Sequence, residues 1–85
     1  MGGFVVYMLR CADGSLYTGC TADLERRCAL HSAGKGSKYV ASRLPFALAY
    51  FERSASKSAA MKRECEIKGL SRADKLKLCA SKKKS

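Results

Sequence analysis

The run Phe4-Val5-Val6-Tyr7-Met8-Leu9 constrains this chain more than any other stretch. It is rich in β-forming residues and lacks the alternation of a strand with one wet face. Such a strand has to be covered on both sides, which predicts a sheet with packing above and below it. The chain has 85 residues, room for one domain, read here as 1–85 with a core of about 4–78 and a basic tail at 79–85. A chain of this size buries only about 60–65% of its unfolded surface, so the core is small.

Ala12-Asp13-Gly14 is a turn signal, and Leu16-Tyr17-Thr18-Gly19-Cys20 is the returning strand. The loop length decides what this hairpin can do. A two-residue Asp13-Gly14 turn pairs Tyr7 with Cys20 and sends Tyr7 and Tyr17 to opposite faces. A three-residue loop, with Gly14 left-handed in a G1 bulge, pairs Cys11 with Ser15, Leu9 with Tyr17 and Tyr7 with Gly19. Both phenols then face the same way. The three-residue loop is the expectation, with both tyrosines on the sheet face that meets Arg27, His31 and Glu64. A glycine inside a strand, as at Gly19, marks a place of close approach.

Thr21 is the expected cap of a helix from Ala22 to about Ala33, with Asp23 and Glu25 in its first turn and Gly34 as terminator. Leu24 and Cys28 share its inward face, and Arg27 and His31 lie one turn apart at the edge of that face. Gly34 to Tyr39 reads as a Gly- and Lys-rich loop that Pro45 ends, and Phe46 to Phe51 as a third strand. Ser56 starts a second helix running to about Lys68, with Ala60, Met61, Ile67 and Leu70 as its inward arc and Glu64 inside that arc. Ser71 opens a third helix, with Asp74 as capping-box partner. The order ββαβαα predicts an α/β (α+β) domain, a three-stranded antiparallel sheet flanked by helices.

Seventeen Lys and Arg stand against seven Asp and Glu, a net charge of +10. That charge draws anionic partners: nucleic acid, the ribosome or an anionic membrane. Five cysteines without a C-x-x-C pair, beside one histidine, argue against structural zinc and for reduced thiols in the cytoplasm. The apolar run is too short for a signal or a membrane span, and Gly2 starts no myristoylation signal because Val6 stands where Ser or Thr is needed.

Glu64 is the most informative single residue. A carboxylate in an apolar stripe is expensive unless it is paired or bound to a cation. It is either a metal ligand or half of an i,i+4 ion pair with Lys68. As a lone carboxylate it suits Mg²⁺, which keeps most of its waters. Arg27 could clamp a phosphate, and His31 could exchange a proton near neutral pH. Tyr7 and Tyr17 read as half-buried strand tyrosines, or as groups that position a water and accept its proton. The second role needs a lowered pKa, toward which Arg27 and a metal would push. Lys35, Lys38, Tyr39 and Arg43 could track a phosphate backbone and stack a base, with Lys68 as a further cation; equally, they form an ordinary basic loop. The segment is not a P-loop, since Gly36 follows Lys35.

Together these positions resemble the GIY-YIG nuclease domain. Val6-Tyr7-Met8 stands for the first half-motif and Tyr17-Thr18-Gly19 for the second. Asp23-Leu24-Glu25-Arg26-Arg27 followed by His31 is similar to the family helix, and Glu64 to its metal-binding glutamate. Glu64 to Leu70 is similar to the small stand-alone bacterial members. Val6, Met8 and Thr18 depart from the motif at packing positions. The asparagine of some larger members has no counterpart, because the chain contains no Asn. The resemblance implies hydrolysis of DNA phosphodiester bonds in repair or recombination, with 5′-phosphate and 3′-hydroxyl products. Glu64 would hold one Mg²⁺ or Mn²⁺, Arg27 would bind the phosphate, and Tyr7, Tyr17 and His31 would handle the water. The implied partner is DNA with single-stranded or branched features. The alternative is a nucleic-acid-binding module without turnover that acts with a larger protein partner.

Overall fold

The computed structural model describes residues 3–80. The lysine tail at 82–84 and Gly2 lie outside the described residues. The chain runs β1 (Phe4–Cys11), β2 (Leu16–Thr21), α1 (Leu24–Ser32), α2 (Lys38–Ala41), β3 (Phe46–Ser54), α3 (Lys57–Lys68) and α4 (Arg72–Ala80). The sheet is antiparallel in the order β2-β1-β3.

β1 is the central strand, as its unbroken apolar run requires. Val6, Tyr7, Met8 and Leu9 are all buried. Val6 and Met8 point to one face, where Ala60 and Ile67 of α3 and Tyr50 of β3 pack on them. Tyr7 and Leu9 point to the other, against Val40 of α2, with Leu24, Cys28, Leu44, Phe46 and Phe51 around them. Each large apolar side chain buried here contributes about 1.5–3 kcal/mol.

The hairpin has the three-residue loop. Cys11 N–H donates to the Ser15 carbonyl, Gly14 N–H donates to Cys11, and Gly14 has φ +87°. Tyr7 therefore pairs with Gly19 and Leu9 with Tyr17.

Asp23, not Thr21, caps α1: its carboxylate accepts from the Arg26 N–H at 3.1 Å. The Thr21 hydroxyl instead receives the Asp23 N–H, which turns the chain into the helix. At the other end Gly34 (φ +79°) makes a Schellman closure, with Lys35 N–H on Leu30 and Gly34 N–H on His31. The loop expected from Gly34 as far as Pro45 is interrupted by a single helical turn, capped by Ser37, that drives Val40 into the core. β3 continues to Ser54, past the expected end at Phe51.

Ser56 caps α3 and Ser71 caps α4, both as expected. Met61 does not face inward; it is 52% exposed. Ala60 and Ile67 form the centre of the buried arc, and at 100° per residue Arg63 and Glu64 flank it on opposite sides. Arg63 reaches β3, where Glu52 takes it at 2.8 Å and also accepts from the Tyr50 hydroxyl. Glu64 leans the other way, toward Cys20 on β2. All five cysteines are free thiols.

Candidate active site

The odd-length loop puts Tyr7 and Tyr17 on one face of the sheet, ring centroids 6.4 Å apart. α1 crosses the same face and delivers His31, whose Nε2 shares a 3.0 Å hydrogen bond with the Tyr7 hydroxyl. The His31 ring also stands edge-on to Tyr17 (5.4 Å) and to Phe46 (6.1 Å). Gly19 makes the cluster possible. A Cβ there would meet the Tyr7 hydroxyl at 2.7 Å and Tyr17 Cε2 at 3.3 Å.

Arg27, one turn before His31, acts electrostatically on both Tyr7 and His31 and makes no ion pair among the described residues. Burial pushes the Tyr7 phenol far above its ordinary range; the charges of Tyr17, Cys28 and Glu64 add to this, and only Arg27 opposes it. The expected lowering by Arg27 is thus outweighed by desolvation. Burial, with Arg27 second, holds His31 below its ordinary value, so the imidazole is neutral at pH 7. The unperturbed pair is a phenol beside a neutral imidazole.

Glu64 departs from the expected placement. Its helix packs on the sheet face opposite the tyrosines, over Val6 and Met8. The carboxylate lies toward the β2 edge, close enough to Tyr7 to act on its ionisation. Lys68 donates to it at 2.7 Å. Burial works to raise the Glu64 pKa, but hydrogen bonds from Lys68 and the Cys20 thiol, with the Lys68 charge, outweigh burial and hold it below the usual range. It is therefore ionised at neutral pH. Among the described residues no three His, Cys, Asp or Glu cluster as a metal cage. One ionised, half-buried carboxylate fits Mg²⁺ or Mn²⁺ that retains water, and does not fit zinc.

Of the expected nucleic-acid contacts, Lys35 and Lys38 are exposed. Tyr39 lies against Tyr17, ring centroids 5.9 Å apart, and extends the aromatic cluster to the surface. Arg43 is already engaged. It pairs with Asp13 at 3.1 Å, donates to the Tyr39 carbonyl and the Ser42 hydroxyl, and lies 3.9 Å over the Tyr39 ring. It ties the hairpin loop to α2. Cys20 and Phe46 were missed by sequence reasoning, because a thiol and a phenylalanine carry no chemical signature of a site. The alternation that puts Cys20 on the α3 face was the one available signal.

The family model of the GIY-YIG catalytic domain matches residues 3–77. A UPF0213 protein of Natronomonas pharaonis is 59% identical over 75 residues, 88% of each chain. One of Staphylococcus haemolyticus is 53% identical over 78 residues, 92% of this chain and 95% of that one. The solution NMR structure of a UPF0213 protein from Bacillus halodurans superposes with a TM-score of 0.61 at 46% identity, covering 94% of this chain and 85% of that one.

Proposed function

This chain belongs to the GIY-YIG catalytic-domain family, and on that premise we propose that it is a divalent-metal-dependent endonuclease hydrolysing phosphodiester bonds in DNA. The observation that carries this reading is the 3.0 Å Tyr7–His31 pair, with Tyr17 on the same face and the Arg27 guanidinium beside it. Binding alone needs the +10 charge but not a phenol and an imidazole locked together out of water.

Arg27 binds the scissile phosphate and stabilises the charge that develops on its oxygens. Glu64 would hold one Mg²⁺ or Mn²⁺, which supplies positive charge at the leaving oxygen. Tyr7, Tyr17 and His31 orient the attacking water and remove its proton. Tyr7 begins protonated and His31 neutral, so a proton that leaves the Tyr7 hydroxyl has the imidazole Nε2 3.0 Å away to accept it. Lys35, Lys38 and Lys68 are the cations that track the DNA backbone, with Tyr39 as a stacking surface.

The Lys68–Glu64 pair favours one competing reading, a DNA-binding module without turnover, since the Lys68 ammonium satisfies Glu64 there without a metal ion. Purified protein on labelled single-stranded, nicked, flap and branched DNA, with and without Mg²⁺ or Mn²⁺, separates the two. Metal-dependent 5′-phosphate products support the nuclease. Binding without products under every condition selects the module. Substrates with single-stranded or branched features, as met in repair and recombination, are expected to be cut best.

A further inference from the structure

His31 is enclosed. Its Nε2 meets the Tyr7 hydroxyl, and the rings of Tyr7, Tyr17 and Phe46 stand around it at 6.0, 5.4 and 6.1 Å. The opposite ring nitrogen, Nδ1, is buried and has no hydrogen-bond partner. Against that edge lies the backbone of Gly36, in the connection between α1 and α2. A Cβ built there would sit 2.6 Å from Nδ1, 2.8 Å from Cε1 and 3.0 Å from Cγ. Packed atoms do not hold such distances, and the three aromatic rings leave the imidazole nowhere to swing.

Conformation does not explain this glycine. The positive-φ glycines are Gly14 and Gly34, and Gly36 is not among them. An alanine could adopt the Gly36 backbone without strain. What position 36 requires is the missing side chain.

We infer that Gly36 is a positioning residue for the active centre: its bare backbone closes over His31, presses the imidazole against the Tyr7 phenol and keeps water from Nδ1. Burial of the ring, with the Arg27 charge second, holds the His31 pKa below its ordinary value. The charged and titratable groups acting on the ring are Arg27 from α1 and the two phenols from β1 and β2. The steric part of this inference is independent of the reaction. The kinetic part rests on the nuclease reading.

The chain has one histidine, so its imidazole gives a single set of NMR signals. In Gly36→Ala the His31 titration midpoint is expected to rise toward the ordinary value of about 6.5, as the loop lifts and water enters. A folded Gly36→Ala with an unchanged midpoint overturns the inference. A double-mutant cycle covers the case where the variant folds poorly. Gly36→Ala should lower Tm by about 5–15 °C with His31 present. It should cost little in a His31→Ala background, where the clash is gone. Equal losses in both backgrounds overturn the inference, because Gly36 would then serve only the loop. On a cleaved substrate, kcat should fall about 10²-fold, the scale set by an ångström of misplacement, while affinity for a non-cleavable duplex stays within about twofold. A shifted titration with unchanged kcat removes the catalytic half. If the unaltered protein cleaves nothing, the nuclease reading fails, while the titration and the cycle still decide the role of Gly36.

Discussion

The Tyr7 hydroxyl and His31 Nε2 lie 3.0 Å apart inside the protein, with only 2% and 1% of the two residues exposed. Among the described residues neither side chain has another hydrogen-bond partner. Tyr7→Phe therefore strands a buried nitrogen and removes a phenol from the site. It is expected to destabilise the fold by about 1–3 kcal/mol and to cut the cleavage rate about 10²–10⁴-fold. Urea unfolding and single-turnover cleavage measure the two effects. Tyr17→Phe should lose activity with little change in stability, since the Tyr17 phenol is only half-buried. Full activity in a folded Tyr7→Phe protein would remove the phenol from the mechanism.

Stability should fall as pH drops below neutrality, and His31 should be the first cause. Its folded pKa is depressed from the ordinary 6.5, by burial and then by Arg27. The unfolded chain thus takes up a proton that the folded one refuses. The contribution is complete above the unfolded pKa and is lost as pH falls from 6.5 toward the lower folded value. Glu64 and Asp13 are also held below their ordinary values, so their contributions disappear in a later, more acid step. Thermal unfolding from pH 7.5 to 3 should show both steps, and His31→Gln should flatten only the first. A flat curve in the unaltered protein between pH 7 and 5.5 would contradict a buried neutral imidazole.

Glu64→Gln should abolish metal-dependent cleavage and leave the fold intact. The amide keeps the shape and gives up the charge that holds a cation. Its partner Lys68 is more than half exposed, so losing that ion pair costs little. Titration with Mn²⁺ provides a readout separate from activity. Paramagnetic broadening centred on Cys20 and Glu64 is expected in the unaltered protein and not in the variant. Unfolding of Glu64→Gln would instead assign Glu64 to the ion pair with Lys68.

The parts of this molecule legible from its residues are those governed by short-range rules. Gly14 fixed the loop length, and strand alternation carried that choice to Tyr7 and Tyr17. On α1 the Leu24–Cys28 pattern places Arg27 and His31 together at the edge of the inward face; Arg27 is there, but His31 is the buried residue of the helix, while Leu24 and Cys28 are only half-buried. Longer-range effects were not legible. Four residues around Val40 are too few to show a helical period, so α2 passed for loop. Met61 stands about 100° from Ala60 on the helical wheel, and the rotation that packs Ala60 and Ile67 on the sheet, with Arg63 reaching Glu52, turns it outward. The same rotation sends Glu64 to the β2 edge. The ionisation of Tyr7 depended on a contest between burial and Arg27, and burial is a property of the whole fold.

Gly19→Ala is expected to damage the site from beneath. The added methyl would lie 2.7 Å from the Tyr7 hydroxyl and 2.9 Å from its Cζ, between two rings already in contact. Overpacking of this kind costs about 1–3 kcal/mol. The displaced phenol should release His31, so loss of activity should accompany loss of stability. A Gly19→Ala protein with unchanged Tm and activity would show that the rings have slack that the static geometry denies.

DNA binding should depend steeply on salt, and the basic residues should divide into two kinds. A protein that neutralises several phosphates loses about 10³-fold or more in affinity between 50 and 200 mM salt. Lys35 and Lys38 are exposed and flank the Gly36 connection beside Tyr39, so each removed by alanine should lower the log–log salt slope by about one. Arg43 is different. Its guanidinium is engaged with Asp13, Ser42 and Tyr39, and its carbonyl accepts from Ala12. Arg43→Ala should therefore loosen the hairpin loop from α2 and lower Tm, with little change in the salt slope. Fluorescence anisotropy over a salt series, beside thermal unfolding, tests both. A full unit of slope lost in Arg43→Ala, with Tm unchanged, would return Arg43 to the set of phosphate contacts and make its bond to Asp13 incidental.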